Sequence, residues 1–243
     1  MKTKITVLFL FIFTFSSCNN EMEDTKLNNF FDSEFKSMLI EYPESGTYMG
    51  RHDNNDKLTD MSLSAIQKRH NNTINSLEEI KSIKRSLLSE SSKINYDLYM
   101  HKLRQSIRGF EYMAYLMPID QLGGIQISAA NLVGVTPFNN LEDYNNYLSR
   151  LEALPRRIRE TMMLMSKGID EDIVPPKVVL KSVPEQIKTQ FTSNVEDSPF
   201  YDPFTNPPES ISSEVTQKAK EAKLIISGKI MPAFIELHSF FIN

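Results

Sequence analysis

The stretch from Asn140 to Gly168, NLEDYNNYLSRLEALPRRIRETMMLMSKG, decides the fold class. Asn140 has the short polar side chain that caps a helix, and Asp143, three residues on, puts a negative charge in the first turn. Tyr144, Tyr147, Leu148 and Leu151 recur at three- and four-residue spacing, and Ile158, Met162 and Met165 carry the stripe on to Gly168. Pro155 either kinks this helix or opens a new one at its first turn.

The same spacing recurs on both sides. Leu27 to Glu41 places Leu27, Phe31, Phe35, Met38 and Leu39 on one stripe, which Tyr42-Pro43 ends. Ser62 or Ser64 caps a second helix through Leu63, Ile66, Ile74, Leu77, Ile80 and Leu87. A third, from Ser92 to Met117, uses Ile94, Leu98, Leu103, Ile107, Phe110 and Ala114 before Pro118 stops it. Glu44 to Asp60 reads as a loop. So does Ile119 to Pro137, which carries Gly123-Gly124 and Gly134 without a helical stripe.

Farther along, Pro175-Pro176 and Pro184 read as first-turn prolines of two short helices. Asp197 to Pro208, DSPFYDPFTNPP, is a turn-rich connector whose aromatics tuck inward. A last helix spans Ser213 to Phe241, with Gly228 and Pro232 as weak points. No alternating run is long enough for a sheet. The expected class is therefore all-α, an irregular multi-helix array with long Pro/Gly-rich loops.

The N-terminus reads as an address. Met1-Lys2-Thr3-Lys4 is a short positive segment, and ITVLFLFIFTF over residues 5–15 is an apolar run too short for a permanent membrane span. Ser16-Ser17-Cys18 follows, small residues before the only cysteine, and resembles the lipobox at which bacterial lipoproteins are cleaved and acylated. Residues 1–17 are thus expected to be a signal peptide and Cys18 the lipidation site, with a lipid-borne membrane contact at the outer membrane or cell surface. An ordinary cleavable signal with an incidental cysteine is the alternative. Residues 18–26, polar and acidic, read as a solvated tether before a helical domain over 27–243.

Removal of the signal leaves about 220 residues, enough for one good-sized core or two small ones. The apolar fraction is 40% and the net charge −4, with Lys and Arg scattered, so the chain carries no electrostatic footprint for nucleic acid. Without a second cysteine the mature chain has no disulfide and no cysteine metal site.

The familiar catalytic motifs fail here on residue type or spacing. A zinc peptidase helix needs two histidines one turn apart with a glutamate between them, and no two of His52, His70, His101 and His238 are close enough in sequence. Asp53-x-Asn55 starts like a calcium loop, but Lys57 and Ser64 stand where oxygen ligands belong. Neither a phosphate loop nor a nucleophile elbow is present. His52, Asp53 and Asp56 remain as candidate polar loop residues, with turn formation as the competing reading.

One set of residues resembles a known family. Pro43-Glu44-Ser45-Gly46-Thr47-Tyr48-Met49-Gly50, followed by His52-Asp53 and Asp56-Lys57-Leu58-Thr59-Asp60, is similar to the opening signature of the bacterial family called domain of unknown function 885. The likeness continues through Tyr115 to Ile119 with Gly123-Gly124, through Pro137-Phe138, Asp143-Tyr144, Tyr147-Leu148-x-Arg150-Leu151 and Leu154-Pro155, then Val174-Pro175-Pro176, Asp197 to Phe204 and Pro232-Ala233-Phe234.

That resemblance implies the N-terminal half of a larger zincin-like helical fold, a metallopeptidase-like hydrolase whose later His-Glu-x-x-Pro-Gly-His helix holds zinc. Nothing here matches that motif, so zinc and a peptide substrate are expected only in a complete protein, and the chain alone is expected to hold no cofactor and to be inactive. A separately encoded C-terminal half is then a possible partner. The alternative is a non-catalytic, lipid-anchored binding module for peptide or glycan.

Overall fold

A computed structural model describes the backbone of residues 3–242 and the side chains of residues 21–242; the expected lipidation site, Cys18, lies outside the described side chains. The chain runs α1 (Thr3–Glu41), α2 (Pro43–Tyr48), α3 (Leu63–Lys81), α4 (Glu90–Phe110), α5 (Ile125–Val133), α6 (Leu141–Asp170), α7 (Lys177–Leu180), α8 (Val183–Lys188), α9 (Ser212–Ile225) and α10 (Met231–Ile242), with short 3-10 turns between them. The described residues include no strand, and the class is all-α.

The helices gather into two compact units. The first comprises Met1–Met38 and Gln67–Tyr112, the second Leu39–Ile66 and Met113–Asn243. In the first unit Leu27, Phe30, Ile80, Ile83, Leu88, Tyr96, Met100 and Leu103 form the core. The Tyr99 ring meets Phe30 and Phe31 edge-on, at 5.6 and 5.2 Å between centroids. Its hydroxyl donates to Glu34 Oε2 at 2.8 Å, while Ser76 donates to Oε1 at 2.8 Å.

The tether reading needs correction over residues 21–26, which are helical within α1. Glu23 is 2% exposed, and its Oε2 accepts the Lys84 N–H at 2.9 Å. Asp24 Oδ1 accepts the N–H of Ser89, the N-cap of α4, at 3.0 Å. Acidic residues in sequence look solvated, but here two carboxylates satisfy backbone donors at the α3–α4 connection that no helix bond serves.

The second unit is built around α6. Its Asn140 cap accepts the Asp143 N–H at 3.1 Å, and Asp143 returns a bond to the Asn140 N–H, which completes a capping box. Pro155 does not start a new helix: α6 is a single helix of 30 residues with the proline buried inside it. Tyr144 and Tyr147 donate to the carbonyls of Pro203 and Phe200 at 3.0 and 2.9 Å, and so draw the DSPFYDPF connector onto the core. Phe200, Tyr201 and Phe204 are buried there, and Phe200 stacks on Phe234.

Residues 119–137, expected as a loop, contain α5, with Ile125, Ala129 and Leu132 turned inward. The stripe is only nine residues long and is framed by glycines. Gly124 sits at φ +128°, where side chains rarely go, and a Cβ there would stand 2.3 Å from Gln126 Oε1. The final helix is interrupted where Gly228 and Pro232 had marked it as weak: Ile226–Ile230 is a π turn between α9 and α10. Proline offers no N–H to the Gly228 carbonyl four residues back, and the wider turn absorbs that mismatch.

Candidate functional site

The second unit holds an apolar cavity of about 260 Å³. The sequence PESGTYMG shapes one side of it. Pro43 begins α2 at a first-turn position, and Glu44 follows as the acidic residue of that turn. The Glu44 carboxylate accepts the Thr59 N–H at 3.0 and 3.1 Å and the Thr59 hydroxyl at 2.5 Å, which closes the loop over residues 49–60. Gly50, at φ +71°, supplies the left-handed turn by which the chain leaves α2.

Thr47 is buried at the centre of this loop. Its hydroxyl donates to Asn55 Oδ1 at 2.7 Å and accepts from Arg150 Nη2 at 2.7 Å. Arg150 projects from α6, in the same register as Tyr147, Leu151 and Leu154, and is 2% exposed. Its Nε donates to the Lys57 carbonyl at 3.0 Å, and Nη2 also reaches the Asn54 carbonyl at 3.4 Å. Nη1 is buried with no hydrogen-bond partner. Burial pulls the guanidinium below the usual arginine value, against the opposing charges of Glu44 and Asp56. The group nonetheless stays protonated at any physiological pH.

Arg150 and Arg157, two turns apart on α6, both line the cavity together with Glu44, Tyr48, Thr59 and Tyr147. Leu132, Leu151, Leu154 and Phe200 make the rest of the wall largely apolar. Such a space can hold an apolar group while offering positive charge.

The candidate polar loop residues do not line this cavity. His52, Asp53 and Asp56 are exposed. The His52 carbonyl accepts the Asn55 N–H at 3.2 Å and its Nδ1 lies 3.1 Å from Asn55 Nδ2, so His52 helps to hold the asparagine that meets Arg150. Asp56 acts on Arg150 through its charge. Arg150, Thr47, Asn55 and Glu44 had no role assigned from sequence. An arginine set within the buried stripe of Tyr147, Leu151 and Leu154 is the signal that marks such a position.

The described residues do not fit a zinc site. They contain no group of three or more His, Cys, Asp or Glu side chains placed to hold a metal ion. His70 stacks on Phe110 at 3.8 Å, His101 is exposed on α4, and His238 packs edge-on against Phe191.

Fold and site together define an all-helical body with an arginine-bearing apolar cavity. The chain belongs to the family described as bacterial protein of unknown function (DUF885), whose model matches residues 43–243. The match opens at Pro43, the first residue of the segment that holds Arg150. No curated protein matches the chain.

Proposed function

We propose that this chain is an envelope lipoprotein, anchored through Cys18, whose helical body binds ligand for a metallopeptidase-like hydrolase and carries no chemistry of its own. The observation behind this reading is the cavity of the second unit. It combines apolar walls with buried positive charge. The Thr59 hydroxyl is bonded to the Glu44 carboxylate, but that contact is part-buried and serves to close the loop over residues 49–60, and the described residues bring no group of three or more His, Cys, Asp or Glu side chains together for a metal. Apolar walls with a fixed positive charge suit binding. The predominance of Leu, Ile, Tyr and Phe in the lining favours a peptide with apolar side chains over a glycan.

Two measurements test the proposal. Purified mature chain is expected to hold no stoichiometric zinc and to leave peptides uncut, while retaining apolar peptides in equilibrium dialysis; tight zinc with hydrolysis would refute the non-catalytic reading. Metabolic labelling with an alkyne fatty acid is expected to mark the wild type and not Cys18→Ser, and equal labelling of the two would remove the anchor.

A further inference from the structure

The Arg150 guanidinium is buried, yet every hydrogen bond it makes goes to a neutral acceptor: the Lys57 and Asn54 carbonyls, the Thr47 hydroxyl and Asn55 Oδ1. Buried charges are ordinarily bonded to a counter-ion. The carboxylates that act on Arg150 are otherwise placed. Glu44 spends its oxygens on Thr59, and Asp56 is exposed to solvent, where salt and water weaken its reach. One end of the fork, Nη1, has no partner. Arg157 adds a second positive charge two turns along the same helix, lining the same space.

We propose that this cavity takes a ligand bearing one carboxylate on an apolar body, with the carboxylate drawn to Arg150 and Arg157 and the body held among Leu132, Leu151, Leu154 and Phe200. This rests on the binding role proposed above and names the ligand class. Nη1, the unbonded end of the Arg150 fork, carries two N–H groups that can donate to a carboxylate oxygen. The nearby Glu44 charge disfavours a doubly charged phosphate, and a volume of about 260 Å³ suits a short chain or one to two apolar residues. Two sources share this chemistry: a free fatty acid and the C-terminus of an apolar peptide.

Isothermal titration of the mature chain carrying Cys18→Ser, which removes its own acyl group, distinguishes them. The probes are decanoate against decanol, and N-acetyl-leucyl-leucine against its C-terminal amide. At least one acid is expected to bind with a single site and at least tenfold more tightly than its neutral counterpart, and the pair that shows this difference identifies the source. Arg157→Gln is expected to weaken the acid at least threefold more than the neutral probe, and equal weakening of the two would count against the charge assignment. Ser128→Trp, at an exposed position of the lining, is expected to abolish binding of both while the helical circular dichroism is retained.

Equal affinity of acid and neutral probe would overturn the carboxylate assignment and leave the binding role standing. Failure of every probe to bind at millimolar concentration would overturn both. Binding unaffected by Ser128→Trp would place the ligand elsewhere and also overturn the assignment.

Discussion

Arg150 shows how a single buried charge organises its surroundings. Ordering its long side chain and stripping its water are both unfavourable, so the position persists only where several acceptors meet it. Thr47 is the hinge of that arrangement, since one hydroxyl accepts from Arg150 and donates to Asn55. Thr47→Val keeps the shape and removes both bonds, leaving buried polar atoms unmatched. It is expected to destabilise the fold by about 1–3 kcal/mol, read as a lower midpoint in urea. Thr47→Ser, which keeps the hydroxyl, should lose only a methyl group's packing, and equal losses for the two variants would contradict the role given to the bond.

At the scale of the element, α1 is held by acid groups as well as by its apolar face. The Lys26 ammonium bonded to Glu23, followed by the Lys84 N–H, holds the Glu23 carboxyl below the ordinary glutamate value of 4.5. A carboxyl depressed in the folded state contributes stability that is fully present above its unfolded pKa and is lost as pH falls through its folded one. Thermal melting of the wild type should therefore weaken as pH drops below about 4.5. Glu23→Gln should be less stable at pH 7 and should lose less over that interval; parallel curves for the two proteins would refute the assignment.

The same scale shows what the sequence made legible. The long helices α1, α3, α4 and α6, the Asn140 cap and the break near Gly228 were readable because each repeats a period or places a recognisable terminator, but the buried face of α4 is Tyr96, Met100 and Leu103, while Ile94 and Leu98 of the expected stripe are exposed. Helix α5 was hidden by its shortness and by its small residues, Ser128, Ala129 and Ala130. The burial of Glu23 was hidden because its partner, the Lys84 N–H, lies 61 residues away. Of the site, Glu44, Thr47 and Arg150 fall within the family-like signature together with His52, Asp53 and Asp56, but the roles of Thr47, Asn55 and Arg150 emerge only when α2 and α6 meet.

For the whole molecule, the distribution of apolar surface bears on membrane contact. The helical run Glu209–Ile242 is long and apolar enough to cross a bilayer by length and composition. Its residues Val215, Ala222, Ile225, Ile226, Ile230, Phe234 and Leu237 are instead buried in the core of the second unit, and a helix cannot present the same face to protein and to lipid. Mature chain with Cys18→Ser should consequently enter the aqueous phase in detergent partitioning, whereas acylated chain should enter the detergent phase. Recovery of the Cys18→Ser protein with the detergent would show that another surface inserts. The burial of Glu23 carries a last consequence under the proposed acylation. Only four residues, Asn19 to Met22, separate Cys18 from a side chain fixed in the first unit, and even fully extended the five Cα-to-Cα steps span at most ~18 Å. On so short a leash the first unit cannot roam the envelope and stays next to the bilayer surface.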